Sequence, residues 1–129
     1  MDRLFLDANV LFSAAYRPDS RINELWTFSD VQLLTSEYAE DEARRNLLEH
    51  AQLERLNQLM ESLDIVPSVV VPFPPGIELP AKDWPILQAA INCSASYLIT
   101  GDSLHFGTLF GRTIAGVNIL TPSQYLSGR

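Results

Sequence analysis

Leu4-Phe5-Leu6-Asp7-Ala8-Asn9-Val10-Leu11 decides how this chain is read. Residues 3 to 6 predict a buried strand, and its apolar run, Leu4 to Leu6, stops on a carboxylate. From Asn9 to Tyr16 the apolar spacing becomes that of a short helix. A carboxylate where a buried strand gives way to a helix is costly to desolvate unless something positive sits beside it, and a divalent cation is the obvious candidate. The competing reading is a plain helix cap or turn residue. Tyr97-Leu98-Ile99-Thr100-Gly101-Asp102 repeats the arrangement, a strand over 97–100 ending on an acid.

Between these two stretches, helices and strands alternate. Arg17-Pro18-Asp19-Ser20 breaks the first helix, and Asp19 or Ser20 can cap a second that runs to about Phe28. Val31 to Thr35 is a second strand. Ser36 is a natural N-cap for a helix from Glu37 to about Glu49, with acids crowding its first turns as the helix dipole favours. Leu53, Leu56, Leu59, Met60 and Leu63 keep helical spacing, so 53–63 predicts a core-facing helix. Ile65 to Pro75 is β-branched and studded with proline, which suits an edge strand passing into an irregular loop. Asp83-Trp84-Pro85 is a helix start, Asp as N-cap and Pro in the first turn, for a helix to about Ser94. Val117 to Leu120 is the last strand, and Thr121-Pro122 opens a short helix through Leu126. Such alternation implies right-handed crossovers and a mostly parallel sheet covered on both faces. The expected fold is one α/β domain over residues 1–129, a three-layer α/β/α sandwich.

In open α/β sheets, chemistry collects at the carboxyl ends of the strands. Asp7 and Asp102 belong there directly. Glu42, one to two turns into the helix after the second strand, can reach back over the same edge, and Asp83 starts a helix at the same rim. Carboxylates gathered without basic partners repel one another, and Mg²⁺ or Mn²⁺ relieves that repulsion through oxygen ligands. The chemistry such a centre supports is phosphodiester cleavage by an activated water. Asn9 and Thr100 are placed to orient the ligands by hydrogen bonds. His105, three residues after Asp102, can hydrogen-bond this centre or contact a phosphate, or be structural. His50 is read as a structural residue closing a helix. CxxC, HExxH and glycine-rich phosphate loops are absent.

The order and spacing of these pieces resemble a PIN-domain nuclease. The matching stretches are residues 4–11, Leu34-Thr-Ser-Glu-Tyr-Ala-Glu-Asp-Glu-Ala-Arg-Arg-Asn-Leu47, Asp83 opening a helix, Tyr97 to Gly107, and the closing Ile119 to Leu126. Nearly the whole chain is covered, and specificity lies in the combination rather than in any one piece. The resemblance implies Asp7, Glu42, Asp83 and Asp102 as the metal-binding catalytic acids, with Asn9 and Thr100 supporting. It implies metal-dependent endonucleolytic cleavage of single-stranded RNA. It further implies the toxin role of VapC-like proteins in a type II toxin–antitoxin pair, with an antitoxin partner and a homodimer. One departure stands out. Many such proteins carry a further aspartate shortly after the position of Asp102, where this chain has Ser103-Leu104-His105.

Composition bounds these readings. Hydrophobic residues make up 47% and charged ones 19% of the 129-residue chain, ordinary for a globular protein with a core. Apolar runs are too short to span a membrane, and no basic leader is visible, which together with a single cysteine, Cys93, favours the cytoplasm. Cys93 lies in an apolar helical run and is expected as a small core residue. The net charge of −7, with Lys82 as the one lysine, opposes nucleic-acid binding unless bound cations cancel part of it locally. Arginines cluster at Arg17 and Arg21 and at Arg44 and Arg45, as a phosphate-facing patch or simply a solvated helix face.

Two alternatives stay open. A haloacid-dehalogenase-like phosphatase would use Asp7 as nucleophile, with Ser36, Lys82 and Gly101-Asp102 as its other elements. That reading puts Asn9 where an acid should protonate the leaving group, and it gives Glu42 no task. The other alternative is a catalytically weak binding module that holds metal without turnover.

Overall fold

The computed structural model describes all 129 residues. Six strands form one sheet in the order β3-β2-β1-β4-β6-β5. They are β1 (Asp2–Leu6), β2 (Val31–Ser36), β3 (Leu63–Val66), β4 (Tyr97–Ile99), β5 (Thr113–Ile114) and β6 (Val117–Leu120). Every pairing is parallel except the β5–β6 hairpin. The α-helices are α1 (Ala8–Tyr16), α2 (Glu37–Asn46), α3 (His50–Met60), α4 (Trp84–Asn92), α5 (Ser103–Phe106) and α6 (Pro122–Ser127).

Leu4, Phe5 and Leu6 are all fully buried, although successive strand side chains point to opposite faces. Both faces of the central strand are therefore covered, the mark of a parallel sheet sandwiched between helices. Helix α1 packs on α2 and α3, and α6 packs on the 3-10 turn at Arg21–Thr27. One hydrophobic cluster of 32 buried side chains fills the layers on both sides of the sheet.

The strand order fixes where a site can form. From β1 the chain moves to β2 and β3 on one side, and β4 and β6 line up on the other. The order thus reverses between β1 and β4, which opens a crevice at their carboxyl ends. Leu6 pairs with Ile99, so Asp7 and Thr100 are the next residues out on adjacent strands. The Asp7 N–H donates to the Ile99 carbonyl at 3.0 Å, which extends the ladder to the crevice itself.

Several elements differ from their expected form. The helix after Ser36 stops at Asn46, because Leu47 turns extended (φ −93°, ψ 117°) to bury its side chain. The next helix starts at His50, so His50 opens a helix instead of closing one, is exposed, and has Glu54 at 3.8 Å. Leu63 belongs to edge strand β3: an apolar residue four places after Leu59 satisfies a helix face and a strand alike. The stretch after Ser20 is a 3-10 turn rather than an α-helix, with Ser20 Oγ accepting from the Ile22 N–H at 3.4 Å. Strand β5 escapes prediction because it has two residues. Cys93 sits just past the end of α4, half-buried against the core.

Candidate metal centre

Asp7 follows β1 directly and caps α1, so the strand–helix boundary itself sets its position. Its Oδ1 accepts from the Ala8 N–H at 2.6 Å, and its Oδ2 accepts from Thr100 Oγ1 at 2.8 Å and Asn9 Nδ2 at 3.2 Å. Only 4% of the residue is exposed. Desolvation pushes its pKa up to about 6; the Thr100 and Ala8 hydrogen bonds oppose the rise, and the negative charges of Glu42 and Asp83 add to it.

Asn9 and Thr100 join the two strand ends. Asn9 Nδ2 reaches Thr100 Oγ1 at 3.2 Å, and its Oδ1 accepts from the Gly101 N–H at 2.8 Å. Thr100 Oγ1 also accepts from the Asp102 N–H at 3.1 Å. A side chain at Gly101 would place its Cβ 3.3 Å from Asn9 Oδ1, so this close approach suits glycine. Asn9 and Thr100 both contact Asp7 directly.

Helix α2 brings the third acid. Ser36 Oγ accepts from the Ala39 N–H at 3.2 Å and starts the helix, and one turn later Glu42 faces the crevice with Ala43 and Asn46. Tyr38, on the same stripe, donates its hydroxyl to the Lys82 carbonyl and so ties α2 to the segment that carries Asp83. Burial, together with Glu42 and Asp83, raises the pKa of the Tyr38 phenol.

Asp83 is 9% exposed. It was expected to cap α4, yet no backbone N–H donates to its side chain. A 3-10 turn at Ala81–Asp83 precedes the helix and leaves Asp83 in helical conformation (φ −97°, ψ −8°), which turns the carboxylate away from the helix end. Burial raises its pKa, the His105 charge opposes, and Asp102 adds to the rise.

Asp102 caps the single turn α5, its Oδ1 accepting from the His105 N–H at 3.1 Å. That turn folds the imidazole back between two acids: His105 Nδ1 lies 2.8 Å from Asp102 Oδ2 and 2.9 Å from Asp83 Oδ2. Both separations are ion-pair distances, although neither contact meets strict hydrogen-bond geometry. Ligand atoms of Asp83, Asp102 and His105 lie within 4.8 Å of one another, close enough to share one cation.

The four acids singled out in the sequence line one cavity of about 540 Å³, with Asn9, Phe12, Asn46 and Lys82 among its other walls. Phe12 and Asn46 were not anticipated, although each lies one helical turn from a chosen residue, Asn9 and Glu42. The clustered arginines do not line the cavity. Arg44 pairs with Glu40 at 2.6 Å and Arg21 with Glu24 at 3.3 Å, within their own helical segments. The donor set suits a hard divalent cation: carboxylate oxygens dominate, and one of them, Asp83 Oδ2, is buried without a hydrogen bond.

Compared with protein-family models and with curated protein sequences, the chain matches none. Among solved structures it is similar to a chain of VapBC2 from Rickettsia felis, in a crystal structure of that assembly bound to a DNA fragment from their promoter. The TM-score is 0.63 at 17% identity, over 92% of this chain and 98% of the other. At that identity the likeness is one of fold, and it agrees with the PIN-like α/β/α architecture implied by the sequence resemblance. No helix is long and apolar enough to cross a membrane.

Proposed function

We propose that this protein is a metal-dependent endoribonuclease that cleaves single-stranded RNA, with Mg²⁺ or Mn²⁺ held by Asp7, Glu42, Asp83 and Asp102. One observation carries the reading. Four carboxylates from four separate segments converge on one cavity at the strand-order reversal, and the charges acting on the most buried of them, Asp7, are those of other acids. A group of like charges in a low-dielectric crevice is expensive, and a divalent cation offsets that expense. When bound, such a cation supplies a water acidic enough to attack near neutral pH and a positive centre for the phosphate.

The chain's own residues do the positioning. Thr100 and Asn9 hold Asp7 Oδ2 facing the crevice, and the Ser36 cap fixes the start of the helix that presents Glu42. Lys82, exposed at the cavity wall, offers a charge to a phosphate oxygen, and Asn46 offers an amide. A phosphatase acting through Asp7 is less well served. Asn9 is engaged by Asp7, Thr100 and Gly101, and an amide cannot protonate a leaving group.

The proposal extends to partners. A compact nuclease of this kind acts as the toxin of a type II pair, dimerises, and is restrained by an antitoxin that inserts an arginine among the four acids in competition with the metal. Copurification with the product of a neighbouring gene tests that part. Cleavage itself is tested with purified protein on single-stranded RNA in Mg²⁺ or Mn²⁺. Activity should disappear in EDTA and in Asp7→Asn, which removes a charge at nearly constant volume. Equal cleavage in EDTA would refute a metal nuclease. An aspartyl-phosphate formed on Asp7 from a small phosphate ester would establish the phosphatase instead, and metal binding without turnover of either substrate would leave a binding module.

A further inference from the structure

We propose that His105 is itself a metal ligand through Nδ1, which makes this a mixed nitrogen–oxygen centre selective for first-row transition dications, with Mn²⁺ as the spectroscopic probe, over Mg²⁺. The inference rests on the metal-centre reading above and specifies its ligand set.

Three observations support it. His105 Nδ1 lies 2.8 and 2.9 Å from carboxylate oxygens of Asp102 and Asp83, ion-pair distances at which strict hydrogen-bond geometry is not met. Asp83, whose side chain is 13% exposed, aims its buried Oδ2 at the same point. The ring nitrogen and the two carboxylate oxygens converge on one point without hydrogen-bond geometry, an arrangement that a shared cation would complete. The spacing also fits. Adjacent donors on an octahedral cation with bonds of roughly 2.1 Å stand about 3 Å apart, close to the two separations observed here.

The remaining geometry presents the ring for ligation. Asp102 Oδ1 holds the His105 N–H and forces the single turn of α5, so the imidazole returns over the Asp102 carboxylate. Asp102 Oδ2 and Asp83 Oδ2 flank the ring nitrogen. A nitrogen donor changes which ion is preferred. Mg²⁺ favours oxygen and water, whereas imidazole suits the later first-row dications, with Mn²⁺ the weakest binder of that series.

The test is pulsed EPR of one equivalent of Mn²⁺ bound to the full-length protein, with affinities for Mn²⁺ and Mg²⁺ measured by calorimetry. Wild-type protein should show directly coordinated ¹⁴N. The signal should vanish in His105→Gln and persist in His50→Gln, whose histidine is exposed on α3. His105→Asp, which makes the centre all-oxygen, should lower the Mn²⁺/Mg²⁺ affinity ratio by about tenfold or more. Bound Mn²⁺ without ¹⁴N coupling would overturn the inference and leave the nuclease reading standing, with His105 only tying Asp83 to Asp102. Coupling that survives His105→Gln would overturn it as well. Absence of Mn²⁺ binding would overturn both readings. Should the His105 variants fail to fold, the wild-type and His50→Gln spectra decide the matter.

Discussion

At the scale of single residues, Asp7 combines a requirement of chemistry with a burden on the fold. Its carboxyl is raised from 3.8 to about 6 by burial, so the folded protein without metal holds this proton more tightly than the unfolded chain does. Between those two values the native state binds more protons, and stability falls as pH rises. The contribution is complete below about 4, is lost as pH climbs through about 6, and is flat above. Its full size is ~3 kcal/mol. Burial acts in the same direction on Asp83. Metal-free Asp7→Asn should therefore gain on wild type by an amount that grows from pH 4 to pH 7, as read by urea denaturation in EDTA. A constant difference across that range would mean that Asp7 is not desolvated. Thr100→Val tests the opposite side of the balance. It keeps shape but removes the donor to Asp7 Oδ2 and the acceptor for the Asp102 N–H. A loss of about 1–3 kcal/mol is expected, with the Asp7 carboxyl titrating higher still, which NMR of the side-chain carboxyl would detect.

At the scale of elements, the acids owe their positions to helix starts and turns. Ser36→Ala removes the N-cap of α2 and should lower stability by about 1 kcal/mol, while also loosening the turn that aims Glu42. Thermal melts measure the first effect and the RNA cleavage rate the second. Tyr38→Phe cuts the link from α2 to the Lys82 carbonyl. Because that link connects Glu42's helix with Asp83's segment, the rate should fall more than the stability does. Which elements were legible follows from the same physics. Strands β1, β2, β4 and β6 each carry a short apolar stretch, Leu4 to Leu6, Leu33-Leu34, Leu98-Ile99 and Ile119-Leu120, and Ser36 and Thr121 are caps with direct side-chain bonds. The break at Leu47 was not legible, because residues 37–60 contain no glycine or proline and tertiary burial of Leu47 alone interrupts the helix. The orientation of Asp83 was hidden for a similar reason. Asp before Trp-Pro reads as a cap, and only the preceding 3-10 turn and the position of His105 draw the carboxylate elsewhere. His105 is the residue whose weight the sequence most understated, since its near neighbour Asp102 reads as a simple helix cap and its other neighbour, Asp83, comes from a distant segment.

At the scale of the whole molecule, the two ends of the sheet are built on different terms. At the amino ends of the strands the charges are matched. Arg129 pairs with Asp30 at 2.6 Å and lies 3.8 Å from the centre of the Phe28 ring, and the Tyr125 hydroxyl donates to Asp2 at 2.8 Å. At the carboxyl ends four acids face one cavity in a chain already carrying a net charge of −7. The fold is thus complete at one pole and short of positive charge at the other, and a divalent cation should stabilise the native state by mass action. A concentration of 100 times Kd gives about 2.7 kcal/mol, or roughly 10 °C in Tm for a domain of this size. The gain should be specific to divalent ions. NaCl at the same ionic strength screens surface charges but reaches buried carboxylates poorly, so it should give far less. It should also shrink in Asp7→Asn and Asp83→Asn, whose metal-free forms start higher because the repulsion is already relieved. Calorimetric scans in EDTA, Mg²⁺, Mn²⁺ and matched NaCl separate these contributions. If Tm were the same in EDTA and in millimolar Mg²⁺ or Mn²⁺, the acid cluster would not be a cation site, and its cost to the fold would need another cause.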